Sequence, residues 1–534
     1  MNRWSEKKQK NRIKTQFGKN PMDMENWESL QLRMYEIEMY EQRRRKTFNQ
    51  EWVDDVIWND LEMDRVFARI NHTRTYMGEQ ILYHRLHGCK NRQKLQRMEK
   101  RIAFFSCQES SRIKVEEKLS HIGKQKENYY LPLFLMDEIN WPVTSCIGLY
   151  LQQVLLVICL AGTVLARSNV WGLGLLVVAT VNLLIYLHAK NKYEGNLFAV
   201  ANMKVALDFC NWMIKSFEGN QLYADEEILQ ALEKTRKLAK QMGRWQARKY
   251  QSVTGDLTGI VQDYLAGVTL YDIVAFCHIE KALRKCRKET LQLYEFVGDV
   301  DTDIAIASFR KSLTNWCSPM IQKSGSIRLE KICHPLMDDG VANSIELRKG
   351  AIFTGANASG KSTFMKAVAI NVILAQTIHT CVAKNVKMPT IKVMTSMALR
   401  DDVVQKESYY MWEMKYLKRM LDEIEKGEPV LFVIDEILKG TNTRERLGAS
   451  KAILSYMAQK PGFLLVATHD LELVKAEEDL YETYYFDSQI CGKDIIFPYK
   501  MKQGIAVRTN AIDLMEMMDF PKEITDKARI VSAR

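Results

Sequence analysis

The stretch AIFTGANASGKST, residues 351–363, decides how this chain is read. Ala351 to Thr354 form a short β-favouring run, a loop opens on Gly355 and closes on Gly360, and FMKAVAINVILAQ continues from residue 364 with helical character. A strand, a GxxxxGK[ST] loop and a helix in that order make a P-loop. Its chemistry dictates its residues. Glycines such as Gly355 and Gly360 let backbone N–H groups turn inward on phosphate oxygens, with Asn357 and Ser359 between them. The helix adds its positive N-terminal end, Lys361 reaches the terminal phosphates, Ser362 offers its hydroxyl to Mg²⁺, and Thr363 closes the motif. The ligands expected are ATP and Mg²⁺.

Further along, the apolar run Val430 to Ile434 ends in Asp435-Glu436, the arrangement of a Walker B strand. Asp435 is expected to hold Mg²⁺ and Glu436 to polarise the attacking water. An acidic pair at a strand end is usually no more than solvated; the P-loop upstream favours the catalytic reading. A third apolar run, FLLVAT (463–468), leads into His469, which stands where a γ-phosphate sensor is needed, although alone it would be an ordinary strand-end histidine. The catalytic set is therefore Glu436, His469 and Lys361, and the metal set is Ser362 and Asp435.

The rest of the chain is of another kind. Its 534 residues are too many for one compact core, and 47% hydrophobic content excludes disorder as the main state. The net charge, 76 − 65 = +11, suits anionic partners without choosing between phosphates, nucleic acid and lipid headgroups. Eleven cysteines with no CxxC pair point neither to a disulfide framework nor to a zinc site, and a reducing cytosol fits best. Between Glu138 and Arg167 no residue is charged, and CIGLYLQQVLLVICLAGTVLA (146–166) is long enough to cross a bilayer. Val170 to Ala189 is again free of charge, and Lys190 and Lys192 close it. The two spans make a transmembrane helical hairpin with both soluble parts in the cytoplasm. The alternative is a pair of buried helices in a soluble core, since Gln152, Gln153 and Asn182 interrupt the apolar runs. The N-terminus is basic with no apolar run behind it, so no cleaved signal peptide is expected.

The expected organisation is multidomain, α plus α/β. Residues 1–50 form a basic, solvated helical arm with Arg43 to Lys46 in one run, 51–145 and 190–325 a helical scaffold split by the hairpin at 146–189, and 326–534 an α/β domain built on the P-loop. The basic run could rest on lipid or nucleic acid, but clustered cations on an exposed helix are common.

The motifs together resemble the ATPase domain of the MutS mismatch-repair family, an ABC-type fold. The P-loop has Asn357 at its third position as in the family's GPNxxGKST, with Ala356 in place of proline. Ser408-Tyr-Tyr-Met-Trp-Glu-Met414 is similar to STFMxEM, Gly440-Thr-Asn-Thr443 to GTST, and Ala467-Thr-His-Asp470 with Glu472-Leu473 to ATHYxEL. The tail from Asn510 to Ala528 looks like the family's closing helical segment. Asn71 to Leu82 (NHTRTYMGEQIL) resembles the opening of the family's core domain, Glu295 to Phe309 the helix just before the ATPase, and Ile332-Cys-His-Pro335 a GRHP segment.

The resemblance implies an ATP-hydrolysing dimer in which Ser408 of one chain completes the nucleotide site of the other, Val341 lies against the base, and hydrolysis opens and closes a clamp, with DNA as the family's partner. There are departures. The hairpin stands where much of the DNA-embracing lever and clamp would be, no mismatch-binding or connector sequence precedes the core, and none of the 19 Phe has Glu two residues on, the family's mismatch wedge. An alternative stays open: a membrane-anchored mechanochemical ATPase acting on a protein or lipid partner with no DNA role. A transporter is the weaker third, since two crossings per chain, neither carrying a charge, make a poor solute pathway.

Overall fold

The structure is a computed structural model. It describes the chain apart from residues 1–2, 49–52, 90–91, 137–145, 167, 218–222, 224, 253–263, 357, 398–408, 439–441, 492–493, 506–511, 513–514, 517, 519 and 533–534.

The helical part is organised on one crossing. Helix Tyr76–His87 has 11 of its 12 residues buried, and it packs along helix Arg287–Ser312, of whose 26 residues 17 are buried. These helices lie on opposite sides of the hairpin in sequence, so the two scaffold halves close into one body. Two glycines permit the close approach. A Cβ on Gly78 would lie 2.3 Å from Asp301 Oδ2, and one on Gly298 would lie 2.3 Å from Ile81 Cγ1. Asp301 also caps its partner helix: its carboxylate accepts from the backbone N–H groups of Arg74 (3.0 Å) and Thr75 (2.8 Å) and from the Thr75 hydroxyl (2.7 Å). Otherwise unpaired helix N-terminal donors thereby find an acceptor in the core.

Helix Trp27–Phe48 is not the solvated arm its charge led us to expect. Leu30, Met34, Ile37 and Tyr40 are buried in the same core. Its basic run is largely consumed by ion pairs, Arg44 with Glu295 and Arg45 with Glu41 and Asp55.

The first hairpin helix is Cys146–Ala166, as read from the sequence. The second differs: it runs from Asn169 to Ser216, 48 residues, about 70 Å of continuous helix. Lys190 and Lys192 end the apolar stretch but contain no helix-breaking chemistry, and no proline follows before Ser216. Ile147–Ala166 and Asn169–Ala189 have mean hydropathies of 2.0 and 2.2 and are only 11% and 17% buried, so neither is a core helix of the described structure. Both are long and apolar enough to cross a bilayer. Between them Gly162 lies under the Trp171 ring, where a Cβ would come within 2.5 Å of Cδ2. The C-terminal part of the long helix docks on the turn Lys126–Tyr130, where Asn202 Nδ2 donates to Asn128 Oδ1 at 2.8 Å.

Strands begin at Met320, six residues before the start at 326 expected for the α/β domain. The strands β1 (Met320–Gln322), β2 (Ile327–Ile332), β3 (Asn343–Leu347) and β5 (Asn385–Pro389) form a mixed sheet in the order β1-β5-β2-β3. A second sheet takes β4 (Gly350–Gly355), β6 (Lys392–Ser396), β7 (Val430–Asp435), β8 (Phe463–Ala467), β9 (Glu482–Phe486) and β12 (Met501–Gln503) in the order β12-β9-β4-β8-β7-β6. All its pairs are parallel except β12 with β9. Strands β10 (Gln489–Cys491) and β11 (Asp494–Ile496) pair separately. Helix Lys361–Thr377 contacts strands of both main sheets, and its almost wholly buried, all-round apolar surface is what such a position requires.

Candidate nucleotide-binding site

In the parallel sheet, β4, β7 and β8 are buried throughout their apolar lengths and run side by side, so their carboxyl ends emerge together. Ligands of open α/β sheets bind at such an end. Register makes this concrete: Asp435 pairs with Ala467 across β7 and β8, and the Glu436 N–H donates to the Ala467 carbonyl at 2.9 Å. Residues 361, 435, 436 and 469, scattered over a hundred positions of sequence, converge on a cleft of about 510 Å³.

The loop after β4 is built from unusual backbone. Gly355 has φ 133° and Gly360 φ 102°, and a Cβ on Gly355 would sit 2.5 Å from the Phe486 carbonyl oxygen. Ala358, at φ 63°, takes the left-handed region at a cost that a non-glycine residue bears only where the surroundings hold it. Lys361 folds back, donating to the carbonyls of Gly355 (2.7 Å) and Ala356 (2.9 Å). Burial pulls its ammonium below the ordinary lysine range, while the carboxylates of Asp435 and Glu436 act in the opposite sense. Ser359 is 1% exposed and lines the cleft, yet its Oγ has no hydrogen-bond partner. Gly360 and Thr363 also line the cleft.

Ser362 Oγ donates to Asp435 Oδ2 at 2.7 Å. Two hard oxygen donors side by side beneath a phosphate-type loop fit a Mg²⁺ ion. Glu436, φ 62°, lies with Oε1 3.3 Å from His469 Nε2. Next to them Arg446 grips Asp470 with two bonds of 2.9 and 3.0 Å, fixing the helix Thr443–Ala458 to the turn that carries His469.

The wall opposite comes from the mixed sheet. Val341, 37% exposed, lines it together with Cys333, His334 and Met337. Burial lowers the His334 pKa to about 4, so His334 is neutral at pH 7, while Asp339 lines the same wall. Tyr499 completes the cleft, and sequence reasoning missed it. It stands over Gly360, where a Cβ would meet its Cδ1 at 3.0 Å, and its carbonyl accepts from Asn343 Nδ2 at 2.9 Å. No motif surrounds it; only tertiary structure brings it to the loop. Asn357 and Ser408 lie outside the described residues, as do Gly440 and Thr441.

Residues 351–534 match the family described as MutS domain V. A DNA mismatch repair protein MutS of Aquifex pyrophilus is 27% identical over 263 residues, 46% of this chain and 30% of that protein. The protein of the same name from Natronomonas pharaonis is 30% identical over 243 residues, 43% of this chain and 28% of its own length. That of Listeria monocytogenes is 25% identical over 266 residues, 47% and 31% respectively. The chain thus spans less than a third of the relatives it matches.

Proposed function

Because the chain belongs to the MutS family through residues 351–534, we propose that its cleft binds ATP with Mg²⁺ and hydrolyses it to ADP and phosphate. The convergence of Lys361, Ser362, Asp435, Glu436 and His469 on one cleft carries this reading.

In it, residues 355–363 act as a P-loop. The Ser359 hydroxyl and the backbone N–H groups after Gly355 meet the phosphates, and Lys361 exchanges two carbonyl acceptors for phosphate oxygens. Ser362 and Asp435 hold Mg²⁺, which neutralises charge on the terminal phosphates when bound. Glu436 orients the attacking water and accepts its proton, with His469 beside it to sense the γ-phosphate. Val341, His334 and Tyr499 offer neutral side chains to the base, with Asp339 on the same wall. By family likeness, the site is finished in a homodimer by Ser408 of the partner subunit.

The domain layout is part of the proposal: a helical core interrupted by a bilayer-crossing hairpin, tethering the dimer to the cytoplasmic membrane with both soluble parts on the cytoplasmic side. The relatives' name, DNA mismatch repair protein, supports a DNA clamp driven by the nucleotide cycle. The exposed apolar pair Ile147–Ala166 and Asn169–Ala189 favours a second reading, in which the same engine works on a membrane or protein partner without DNA. Turnover of the detergent-purified protein, with and without homoduplex, mispaired and branched DNA at two salt concentrations, separates them. Salt-dependent stimulation by DNA supports the clamp, and indifference to every DNA removes it. Glu436→Gln is expected to lower kcat by about 10²- to 10⁴-fold with nucleotide affinity held within about threefold. Unchanged turnover in that variant refutes hydrolysis at this cleft.

A further inference from the structure

The apolar helices carry amides that a purely lipid-facing helix has no use for, and a third stretch of chain accounts for two of them. Gln153 Nε2 donates to the carbonyl of Thr269 at 2.8 Å, and Asn182 Nδ2 donates to that of Val268 at 2.8 Å. These neighbouring carbonyls stand at a break in helical backbone. Residues 264–269 are helical, Leu270 turns to φ 54°, and a new helix runs Tyr271–Lys285. Carbonyls at a helix end lack the donors that a continuing helix would supply. In water such groups need no dedicated partner, but in hydrocarbon irregular backbone survives only where protein satisfies it.

The packing around the break is close. A Cβ on Gly267 would lie 3.0 Å from Tyr186 Cδ1 and 3.3 Å from Leu183 Cδ1. Leu149 and Tyr186 of the hairpin join Leu270, Val274 and Cys277 in an apolar cluster separate from the main core. Depth follows from position. Gln153 is seven residues in from Cys146, and Asn182 seven residues in from Ala189, so each amide lies about 10 Å from the cytosolic end of its apolar run. On the outer side, Tyr264, Leu265 and Tyr271 are 61%, 57% and 45% exposed, whereas Asp272, the only acidic residue from 264 to 279, is turned inward at 7%. Tyrosines and a leucine on a charge-free face are what a membrane interface selects.

We propose that residues 264–276 form a third membrane element, a broken helix that enters the cytoplasmic leaflet of a phospholipid bilayer against the hairpin, with the Tyr264, Leu265 and Tyr271 face on lipid. This rests on the hairpin reading above. It gives the bilayer a contact only one short helix away from Arg287–Ser312, the central helix of the scaffold.

The test uses the full chain in phospholipid nanodiscs, with an environment-sensitive fluorescent amino acid at Leu265, at mid-span Leu160, or at cytosolic Leu229, and nitroxide-labelled lipids as quenchers. The Leu160 probe is expected to respond most to a mid-chain nitroxide. The Leu265 probe should respond to a shallow acyl nitroxide at least about threefold more than the Leu229 probe. A Leu265 probe that matches Leu229 while Leu160 is quenched overturns the third element and leaves the hairpin standing. If Leu160 is not quenched, both fall. A Leu265 probe shielded from lipid nitroxide and from aqueous iodide alike means that protein covers this face, which also overturns the proposal. Replacing both amides (Gln153→Leu with Asn182→Leu) makes the hairpin more apolar, so Leu160 quenching should persist while Leu265 quenching falls to the Leu229 level. Leu265 quenching unchanged in that variant refutes the amides as the anchor.

Discussion

Glu79→Gln tests the joint between the scaffold and the long hairpin helix. The Glu79 carboxylate is wholly buried and receives Arg33, Lys124, Asn71 Nδ2 (2.8 Å) and the Tyr129 hydroxyl. Through Lys124 and Tyr129 it fixes the turn on which Asn202 of the hairpin helix docks. Burial pushes the Glu79 pKa up, but Lys124 and Arg33 outweigh it and hold the group at about 2 against an ordinary 4.5. A depressed carboxylate contributes stability that is complete above the unfolded pKa and disappears as pH falls through the folded one. The window here is about pH 4.5 down to 2. The gap between about 4.5 and about 2 is worth about 3 kcal/mol at pH 7, and about 1 kcal/mol remains at pH 3. Arg33 and Lys124 keep side-chain exposures of 20% and 23%, so their charges can re-solvate in the variant and add no large further penalty. Amide hydrogen exchange in helices Trp27–Phe48 and Tyr76–His87 reads this locally. The variant should lose about two orders of magnitude in protection at pH 7 and only about one at pH 3. A loss below tenfold at pH 7, or one that does not narrow on acidification, refutes the assignment.

Three further outcomes follow from the geometry. Gly355→Ala places a methyl 2.5 Å from the Phe486 carbonyl at φ 133°, and titration with a fluorescent ATP analogue should show affinity down by about 10²-fold while circular dichroism stays helical. Asp435→Asn keeps a hydrogen-bonding partner for Ser362 but removes the charge, so the dependence of nucleotide affinity on Mg²⁺ should flatten, and a variant with normal Mg²⁺ dependence excludes Asp435 as a ligand. Arg310, 4% exposed, donates to Glu99 at 2.7 and 2.6 Å and to Thr380 at 2.9 Å; Arg310→Met should cost about 3 kcal/mol and lower the thermal midpoint by roughly 5 °C in scanning fluorimetry.

How much of this was legible depended on how local the signal was. Strands 350–355, 430–435 and 463–467 follow from apolar runs bounded by glycine or acidic residues, and the hairpin from two charge-free stretches; none needs knowledge of a distant neighbour. Lys361, Ser362, Asp435 and Glu436, which the fold brings to one cleft, are legible because motif spacing encodes them. What sequence could not show is set by tertiary partners. Tyr499 reaches the cleft through Asn343, 156 positions away, and Asp301 caps a helix that begins 225 residues earlier. Helix Trp27–Phe48 read as solvated because its charges dominate its periodicity; the ion pairs that neutralise them lie on other elements. The sheet formed by β1, β2, β3 and β5 escaped notice because its short strands alternate without a long apolar run.

Departures from local rules in this chain are not scattered. Among the described residues, eight non-glycine positions take positive φ: Glu62, Leu270, Lys331, Ala358, His379, Glu436, Leu438 and Tyr499. Ala358, Glu436 and Tyr499 line the candidate nucleotide cleft, and Leu438 follows Glu436 by two residues. Glu62 and His379 sit at the seam between scaffold and α/β domain, Glu62 accepting from Lys366 Nζ at 2.8 Å and His379 Nδ1 lying 2.9 Å from Glu99. Leu270 marks the break against the hairpin, and Lys331 the irregularity between β2 and β3. Strain at about 1–3 kcal/mol per residue persists only where surrounding structure over-determines it. Lys366 lies five residues beyond Lys361 on one helix, so the seam at Glu62 is a single helical turn and a half from the proposed phosphate site. The backbone therefore concentrates its strain where nucleotide, scaffold and bilayer would each have to be felt by the others, and any test of coupling should begin with Lys366→Ala, measured at the proposed membrane element rather than at the cleft.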